Sequence, residues 1–509
     1  MDTFSNLALG FETALSVNTL IACFIGVTFG TFVGVLPGIG ALAGISLLLP
    51  LTFTQTPVDG IVMLAGIYYG SQYGGSTSAI LLNIPGSASS AVVCLDGYPM
   101  SQQGRAGVAL CMCAIGSFVG GSFSIVLMTV LAPLLAQVAI GFGSPEYFSM
   151  MVLGLVAAST LSFGSPMKGL AMTVVGLLVG LIGIDVNSGA ARYTFGIVEL
   201  LDGINLGVLA MGLFGISEIL LNFSQPNTGT VTGKAISWRS LVPSRKDFRD
   251  SVAPMARGSL IGAFFGILPG VGGTIASFMG YSLEKRIAKD PSRFGKGAIE
   301  GIVSSETADN ASAQAAFIPT MALGIPGSAS MALILGALTV QGIVPGPMTM
   351  TSQPELFWGL IASFWIGNVM LLVLNLPLIG IWIRLLLIPY RVLYPIMLFF
   401  VCIGAYSIRN NVFDIYAVLA FGLIGYVMRL AELPLAPLLM GFILGPLMEE
   451  HLRRALLIAH GDGWVFVTEP FSATLLMISL LLIVGSAITT YRARTARRAG
   501  ADVSAEPGQ

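Results

Sequence analysis

Apolar residues along this chain run in long blocks rather than alternating with polar ones. Ten blocks are long enough, on the order of 20 residues, to read as crossings of a hydrocarbon layer. They lie near residues 15–36, 107–140, 146–164, 167–185, 203–223, 355–383, 392–408, 412–428, 434–448 and 471–490. Two further regions, 37–95 and 254–345, are just as apolar but are broken by Gly, Pro, Ser, Asn and Thr. The pattern predicts an all-α polytopic membrane protein with about ten to twelve transmembrane helices, some of them broken or re-entrant.

Composition strengthens that reading. Of 509 residues, 55% are hydrophobic and only 10% charged, against roughly 25% charged in a soluble domain. Mean hydropathy is +0.87. The net charge of -1 supplies no basic field for nucleic acid. Two histidines, His451 and His460, and five scattered cysteines leave no zinc, haem or iron–sulfur ligand set. The N-terminal MDTFSNLALGFETALSV has neither a basic leader nor a small-residue cleavage site, so the first span is expected to be retained.

Charge then suggests sidedness. The first Lys or Arg is Arg105, and eleven of the 24 basic residues fall between Lys234 and Lys296. All but Arg257 form two clusters, Lys234 to Arg249 and Lys285 to Lys296, and the positive-inside rule puts both in the cytoplasm. About 35 residues separate them, too few for two full crossings, so the segment with LPGVGG (Leu268–Gly273) is expected to enter and return. Arg492, Arg494, Arg497 and Arg498 place the C-terminus inside as well, whereas Arg453 and Arg454 fall on the expected outer side.

An internal repeat carries the functional argument. Gly26, Gly30, Gly34, Pro37, Gly38 and Gly40 share the spacing G-x3-G-x3-G-x2-P-G-x-G with Gly258, Gly262, Gly266, Pro269, Gly270 and Gly272, at a constant offset of 232 residues. Downstream, IPGSAS recurs around Pro85 and Pro326, at an offset of 241. The nine extra residues of the second copy match the basic loop 284–297, whose counterpart near 52–60 has no Lys or Arg. Glycine at every fourth position is accounted for by close helix packing. Pro-Gly-x-Gly at the end of each stripe is not. Proline removes a donor and glycine lets the chain leave helical geometry, so each stripe should end in a break with free N–H groups beyond it. Matched breaks in two halves point to a transporter site near the midplane. The charge difference between the two counterpart loops predicts inverted halves.

Candidate substrate contacts are therefore Pro37, Gly38, Gly40, Ser76, Thr77, Asn83, Pro85, Gly86, Ser87 and Ser89 in the first half. Pro269, Gly270, Gly272, Asn310, Pro326, Gly327, Ser328 and Ser330 are those of the second. Almost no cation accompanies them, so helix ends and hydroxyls are expected to hold an anion weakly. Any single Ser or Thr here is as readily explained by bonding back to its own helix. Glu306, Asp309, Asn310 and Ser312 lie in SSETADNASAQ, and a charge there is costly in lipid. They read either as a cytoplasmic helix end or as hard oxygen ligands for Na⁺, with Asp309 alternatively a titratable group for H⁺.

GTFVGVLPGIG, YYGSQYGGSTSAILLNIPGSASS, DGYPMSQQGRAG, GILPGVGG and GIPGSAS together resemble the TctA family, the large membrane subunits of tripartite tricarboxylate transporters. The resemblance spans nearly the whole chain. It implies a non-enzymatic subunit of the bacterial inner membrane that works with a small membrane subunit and a periplasmic solute-binding protein. Such systems import tricarboxylates or related organic acids, with a Na⁺ or H⁺ gradient as the driving force and no other cofactor. Likeness to other inverted-repeat carboxylate importers implies an elevator-like movement. The expected organisation is a first half at 1–225, a cytoplasmic linker at 226–253, a second half at 254–450, a C-terminal span at 451–490 and a tail at 491–509. A channel or ion exchanger using the same broken helices is the alternative. A serine protease built on Ser76 or Ser87 lacks a nearby His or Lys base. Inverted halves predict that cysteines introduced at residues 55 and 290 are labelled from opposite sides of the membrane, and labelling from one side would refute the inversion.

Overall fold

The computed structural model describes residues 3–36, 38–160, 165–185, 187–222, 238–268, 272–343, 345–386 and 390–503. Pro37, Pro269 and Gly270 of the candidate set lie outside them. The chain divides into two compact units, residues 1–141 with 205–427, and residues 142–204 with 428–509.

The first unit opens with α1 (Thr3–Ala14), α2 (Val17–Val35), α3 (Gly40–Thr52), α4 (Pro57–Leu82), α5 (Ala91–Gln102) and α6 (Ala106–Ala139). The second unit supplies α7 (Ser144–Thr160), α8 (Pro166–Gly180) and a hairpin of β1 (Gly183–Ile184) and β2 (Ala191–Arg192). That two-residue ladder is a small departure from the all-α expectation. The first unit resumes with α9 (Leu206–Ala210), a π-helical turn at Met211–Ile216 and α10 (Ser217–Asn222). Then come α11 (Arg245–Ile267), α12 (Gly272–Ile287), α13 (Ile299–Ala315), α14 (Phe317–Leu323), α15 (Ala329–Val340), α16 (Thr349–Ser352) and α17 (Pro354–Asn375). Helices α18 (Ile379–Leu385), α19 (Tyr390–Arg409) and α20 (Val412–Leu430) follow. The rest of the second unit is α21 (Leu435–Ile458), α22 (Val465–Thr468) and α23 (Pro470–Val503).

Among the described residues five helices reach the length and apolarity of a span: Val17–Val35, Ala106–Ala139, Pro354–Asn375, Val412–Leu430 and Pro470–Ile488. Five further apolar helices have 10–17 residues. The protein is thus a helical, multi-pass membrane protein in which many apolar segments are shorter than a full crossing.

The repeat is visible as packing. Helix α2 lies along α4 so closely that a methyl on Gly26, Gly30 or Gly34 would run into the carbonyls of Met63, Ile67 and Ser71. Helix α11 meets α13 in the same way, with Gly258, Gly262 and Gly266 against Ser304, Ala308 and Ser312. The glycines are related by the offset of 232, and the carbonyls they touch by the offset of 241. Each stripe helix stops just before its Pro-Gly, α2 at Val35 and α11 at Ile267. The chain resumes as helix at Gly40 and Gly272, both with positive φ (68° and 66°), which glycine adopts at no steric cost. Helix α4 ends on Asn83 and α14 on Gly324, again 241 apart and both left-handed.

Close packing leaves α4 and α13 in the middle. Every residue of α4 from Asp59 to Leu81 is buried, and so is every residue of α13 from Gly301 to Ala315. The sequence IEGIVSSETADNASAQA is too polar to face lipid, and protein surrounds it on all sides. The halves interlock: α5 packs on α12 and α13, and α15 packs on α3 and α4.

In the second unit, α7, α8, α21 and α23 pack together around the close approaches of Gly176 to Leu438 and Gly441 to Thr173. Arg453, expected as a marker of sidedness, bonds Glu449 at 2.6 Å and reaches Asp185 at 3.4 Å, and Arg454 bonds Glu450 at 2.6 Å.

Gly262→Val should drive α11 and α13 apart, at a cost of about 1–3 kcal/mol or more. Gly463→Ala, where nothing lies within 4 Å of the added methyl, should be neutral. Thermal midpoints of the purified variants test this, and equal midpoints for the two would remove the packing argument.

Candidate functional site

Two buried carboxylates one helical turn apart on α13 form the chemical centre. Glu306 and Asp309 are 0% and 1% exposed. Of the two readings of Glu306, the helix end does not fit the structure: Glu306 is buried inside α13, well past its start at Ile299.

Glu306 has a shell of donors. Ser117 on α6 donates to Glu306 Oε1 at 2.9 Å, and Asn310 Nδ2 donates to the same oxygen at 3.1 Å. Asn310 also donates to Ser117 Oγ at 2.9 Å, closing a triangle. Residues four apart share a helix face, which is why Glu306 and Asn310 meet. Ser76 on α4 stands beside the same carboxylate, although its own hydroxyl bonds back to the Tyr73 carbonyl at 2.9 Å. Tyr73 donates to Asn368 Oδ1 on α17, whose amide donates to the Phe118 carbonyl at 3.0 Å and to Ser122 at 3.1 Å.

Asp309 is poorer in partners and more central. Gln72 Nε2 on α4 donates to Oδ1 at 3.1 Å, so the bond joins the two copies. A methyl on Gly273, in the first turn of α12, would overlap the same oxygen. Ser89 of the first IPGSAS loop and Tyr68 of α4 stand beside Asp309, and Ser328 of the second loop stands beside Tyr68. Asp309 Oδ2, Glu306 Oε2 and Ser312 Oγ are buried without a well-formed hydrogen bond among the described residues. No Lys, Arg or His of the described residues pairs with either acid. Nor does any group of three His, Cys, Asp or Glu gather there as a metal site.

The IPGSAS loops are shaped by backbone contact. A methyl on Gly86 would run into the Gly34 carbonyl and stand 2.7 Å from Gly75 Cα. A methyl on Gly327 would lie 3.4 Å from the Gly266 carbonyl and 3.3 Å from Ala316 Cβ. These contacts again correspond between copies. In the first loop Ser87 and Ser89 share a hydrogen bond at 2.9 Å, and Ser90 donates to the Ser87 carbonyl at 2.9 Å. In the second, Ser328 caps α15 by accepting from Met331 N–H at 3.2 Å.

The structure thus gathers Ser76, Ser89, Glu306, Asp309 and Asn310, with Ser328 reaching the group through Tyr68, while Ser312 presents its backbone to Gly266 of α11. Pro85, Gly86, Ser87, Pro326 and Gly327 shape the loops, and Thr77 and Ser330 are buried in α4 and α15. Gly40 and Gly272 begin the helices after the breaks. Gly38 faces Glu218 and Asn222 of α10 instead, and Asn83 is an exposed helix cap. Gln72, Ser117, Asn368, Tyr68 and Gly273 were not among the candidates. Their only local signal is a polar side chain, or an extra glycine, inside an apolar segment.

A buried, multi-helix site with matched helix breaks, whose acids have no basic partner among the described residues, fits a membrane transport protein better than a soluble binding module. The chain belongs to the tripartite tricarboxylate transporter TctA family, whose model matches residues 20–440. This is a family of transporters. An uncharacterized 52.8 kDa protein in the TAR-I ttuC' 3'region of Agrobacterium vitis is 51% identical over 494 residues, 97% of this chain and 98% of the relative. An uncharacterized protein in the TAR-II ttuC' 3'region of the same organism is 53% identical over 233 residues, 46% of this chain and 96% of the relative. No solved structure matches the chain.

Asn310→Leu removes the amide donations to Ser117 and to the Glu306 side chain and carbonyl and leaves the Glu306 acceptor short of partners, at a cost of about 1–3 kcal/mol. The thermal midpoint should fall, and adding Glu306→Gln should recover part of the loss. An unchanged midpoint would mean that the triangle does not hold the acid.

Proposed function

We propose that this chain is the large membrane subunit of a cation-coupled secondary importer of tricarboxylates or related organic acids. It receives its substrate from a periplasmic solute-binding protein and works beside a small membrane subunit. It resides in the bacterial inner membrane, with the C-terminus in the cytoplasm and the two halves inverted. The substrate anion sits between the IPGSAS loops and the starts of α3 and α12. Backbone N–H groups and serine hydroxyls contact it there. Asp309 is the cation-responsive group, taking Na⁺ or H⁺, with Glu306, Asn310 and Ser312 around it. The region bearing the motifs moves as a body, in an elevator-like manner, against the remaining spans.

The observation that carries this reading is Asp309: buried, and among the described residues without a basic partner and with one oxygen lacking a well-formed hydrogen bond. A carboxylate in that setting calls for a positive charge from outside. Its neighbours include Ser89 from one loop and the first turn of α12 after the second break.

Reconstitution tests the proposal. Proteoliposomes with all three components should accumulate a carboxylate such as citrate only under an inward Na⁺ or H⁺ gradient, imposed separately, and only with the binding protein present. Non-saturating flux independent of both would favour a channel. Full-rate saturable uptake without the binding protein would remove the partner.

A further inference from the structure

Helix α12 is sixteen residues long and begins at the second break, so its first turn is a ready seat for an anion. That turn already has a carboxyl group beside it. The Asp309 carboxylate lies so close to Gly273 that a methyl there would overlap Oδ1. Gln72, reaching across from the other copy, holds the same oxygen at 3.1 Å. Oδ2 is buried and lacks a well-formed hydrogen bond.

The first copy has no such arrangement. By the two offsets, the equivalents of Gly273 and Asp309 are Ala41 and Tyr68, an ordinary small residue and a neutral phenol. The acid and the glycine that admits it therefore occur together, at one break only. A packing explanation accounts for a small residue at 273. It leaves unexplained an ionisable side chain brought against the positive end of a helix without a basic partner among the described residues.

We infer that the Asp309 carboxylate is a tethered competitor for the anion seat of α12. With no cation bound, Asp309 stands in the electrostatic position that a substrate carboxylate would use, and like charge excludes the substrate. Na⁺ at Asp309, or a proton on it, cancels that charge and frees the first turn of α12. Cation coupling then acts on substrate affinity, with the cation binding first. The titratable groups facing Asp309 are Glu306 on its own helix and Tyr68 from α4. Gln72, Ser89 and Gly273, from the other elements around it, carry no charge. This inference rests on the transport reading above and specifies how its ion dependence arises.

Hydrogen exchange of the α12 first turn, followed by mass spectrometry on the full chain in lipid nanodiscs, tests it without any substrate. In the wild type, exchange should change severalfold between NaCl and equimolar choline chloride at constant pH. Failing that, it should change between acidic and alkaline buffer after correction for intrinsic exchange. Asp309→Asn keeps an acceptor for Gln72 and should be blind to both ions. Gly273→Ala displaces the carboxylate and should give the cation-loaded exchange without cation. A wild type indifferent to both ions, or either variant responding as the wild type does, overturns the inference. Citrate uptake in the reconstituted system separates the two claims. An ion-sensitive first turn without carboxylate uptake would sink the transport reading alone. Coupled uptake with an ion-blind first turn would sink the competitor alone.

Discussion

The structure depends on the direct approach of one helix backbone to another at six glycines. In lipid there is little hydrophobic drive between helices, so association rests on van der Waals contact, which small residues make possible. Gly26, Gly30 and Gly34 bring α2 onto the carbonyls of α4, and Gly258, Gly262 and Gly266 bring α11 onto those of α13. With α4 and α13 enclosed by protein, they are free to carry groups that a lipid-facing helix could not. The serines, Gln72 and the two acids of the site all sit on these two helices or against them. Substituting larger residues in the stripes would disturb the site through its scaffold, without touching it.

The periodic part of this design was legible in the sequence. The glycine stripes, the breaks and the duplicated IPGSAS loops all appear as spacings, and the helix ends follow them to the residue at Gly40 and Gly272. Helix α4 was harder to read, because its Gly, Ser and Tyr content interrupts an otherwise span-length segment of 26 residues. The partners of the acids were not legible at all. Gln72 and Asp309 are 237 residues apart, and Ser117 and Glu306 are 189 apart, so no local pattern links them. Glu306 kept two readings open for a related reason: a basic loop just before it in sequence allowed a position near the surface. In the structure α13 is buried from Gly301 to Ala315, so Glu306 is enclosed by protein.

That loop also shows why the copies differ in length. The second copy's additional residues fold back onto α5 of the first copy. Gly295, Gly297 and Ala298 donate their N–H groups to Asp96 Oδ1 at 2.7–2.8 Å, and Tyr281 of α12 donates to Oδ2 at 2.9 Å. Gln103 donates to the Lys296 carbonyl at 2.8 Å. Asp96 is 0% exposed, so these bonds are shielded from competing water. Because Ser89 lies two residues before α5, the same bonds hold the first loop near α12 and α13. An apparent insertion is thus a tie between the halves, and it helps set the distance from Ser89 to Asp309.

Charge balance links the site to the composition of the whole chain. A protein with 10% charged residues could have used arginines to hold an organic acid, yet none of those described pairs with the acids of the site. Holding an anion with N–H dipoles and hydroxyls gives partial charges only, each worth about 0.3–1 kcal/mol at a helix terminus. Such a seat is loose by construction, which suits release. It also has a weakness, because two carboxylates lie within a turn of each other beside it. A di- or tricarboxylate entering the same space would add further negative charge in a medium where like charges repel strongly. On the proposed function, cations are therefore required for binding before they are required for driving uphill movement. On that proposal, the gradient is coupled to transport because the empty site is too negative to accept its substrate alone.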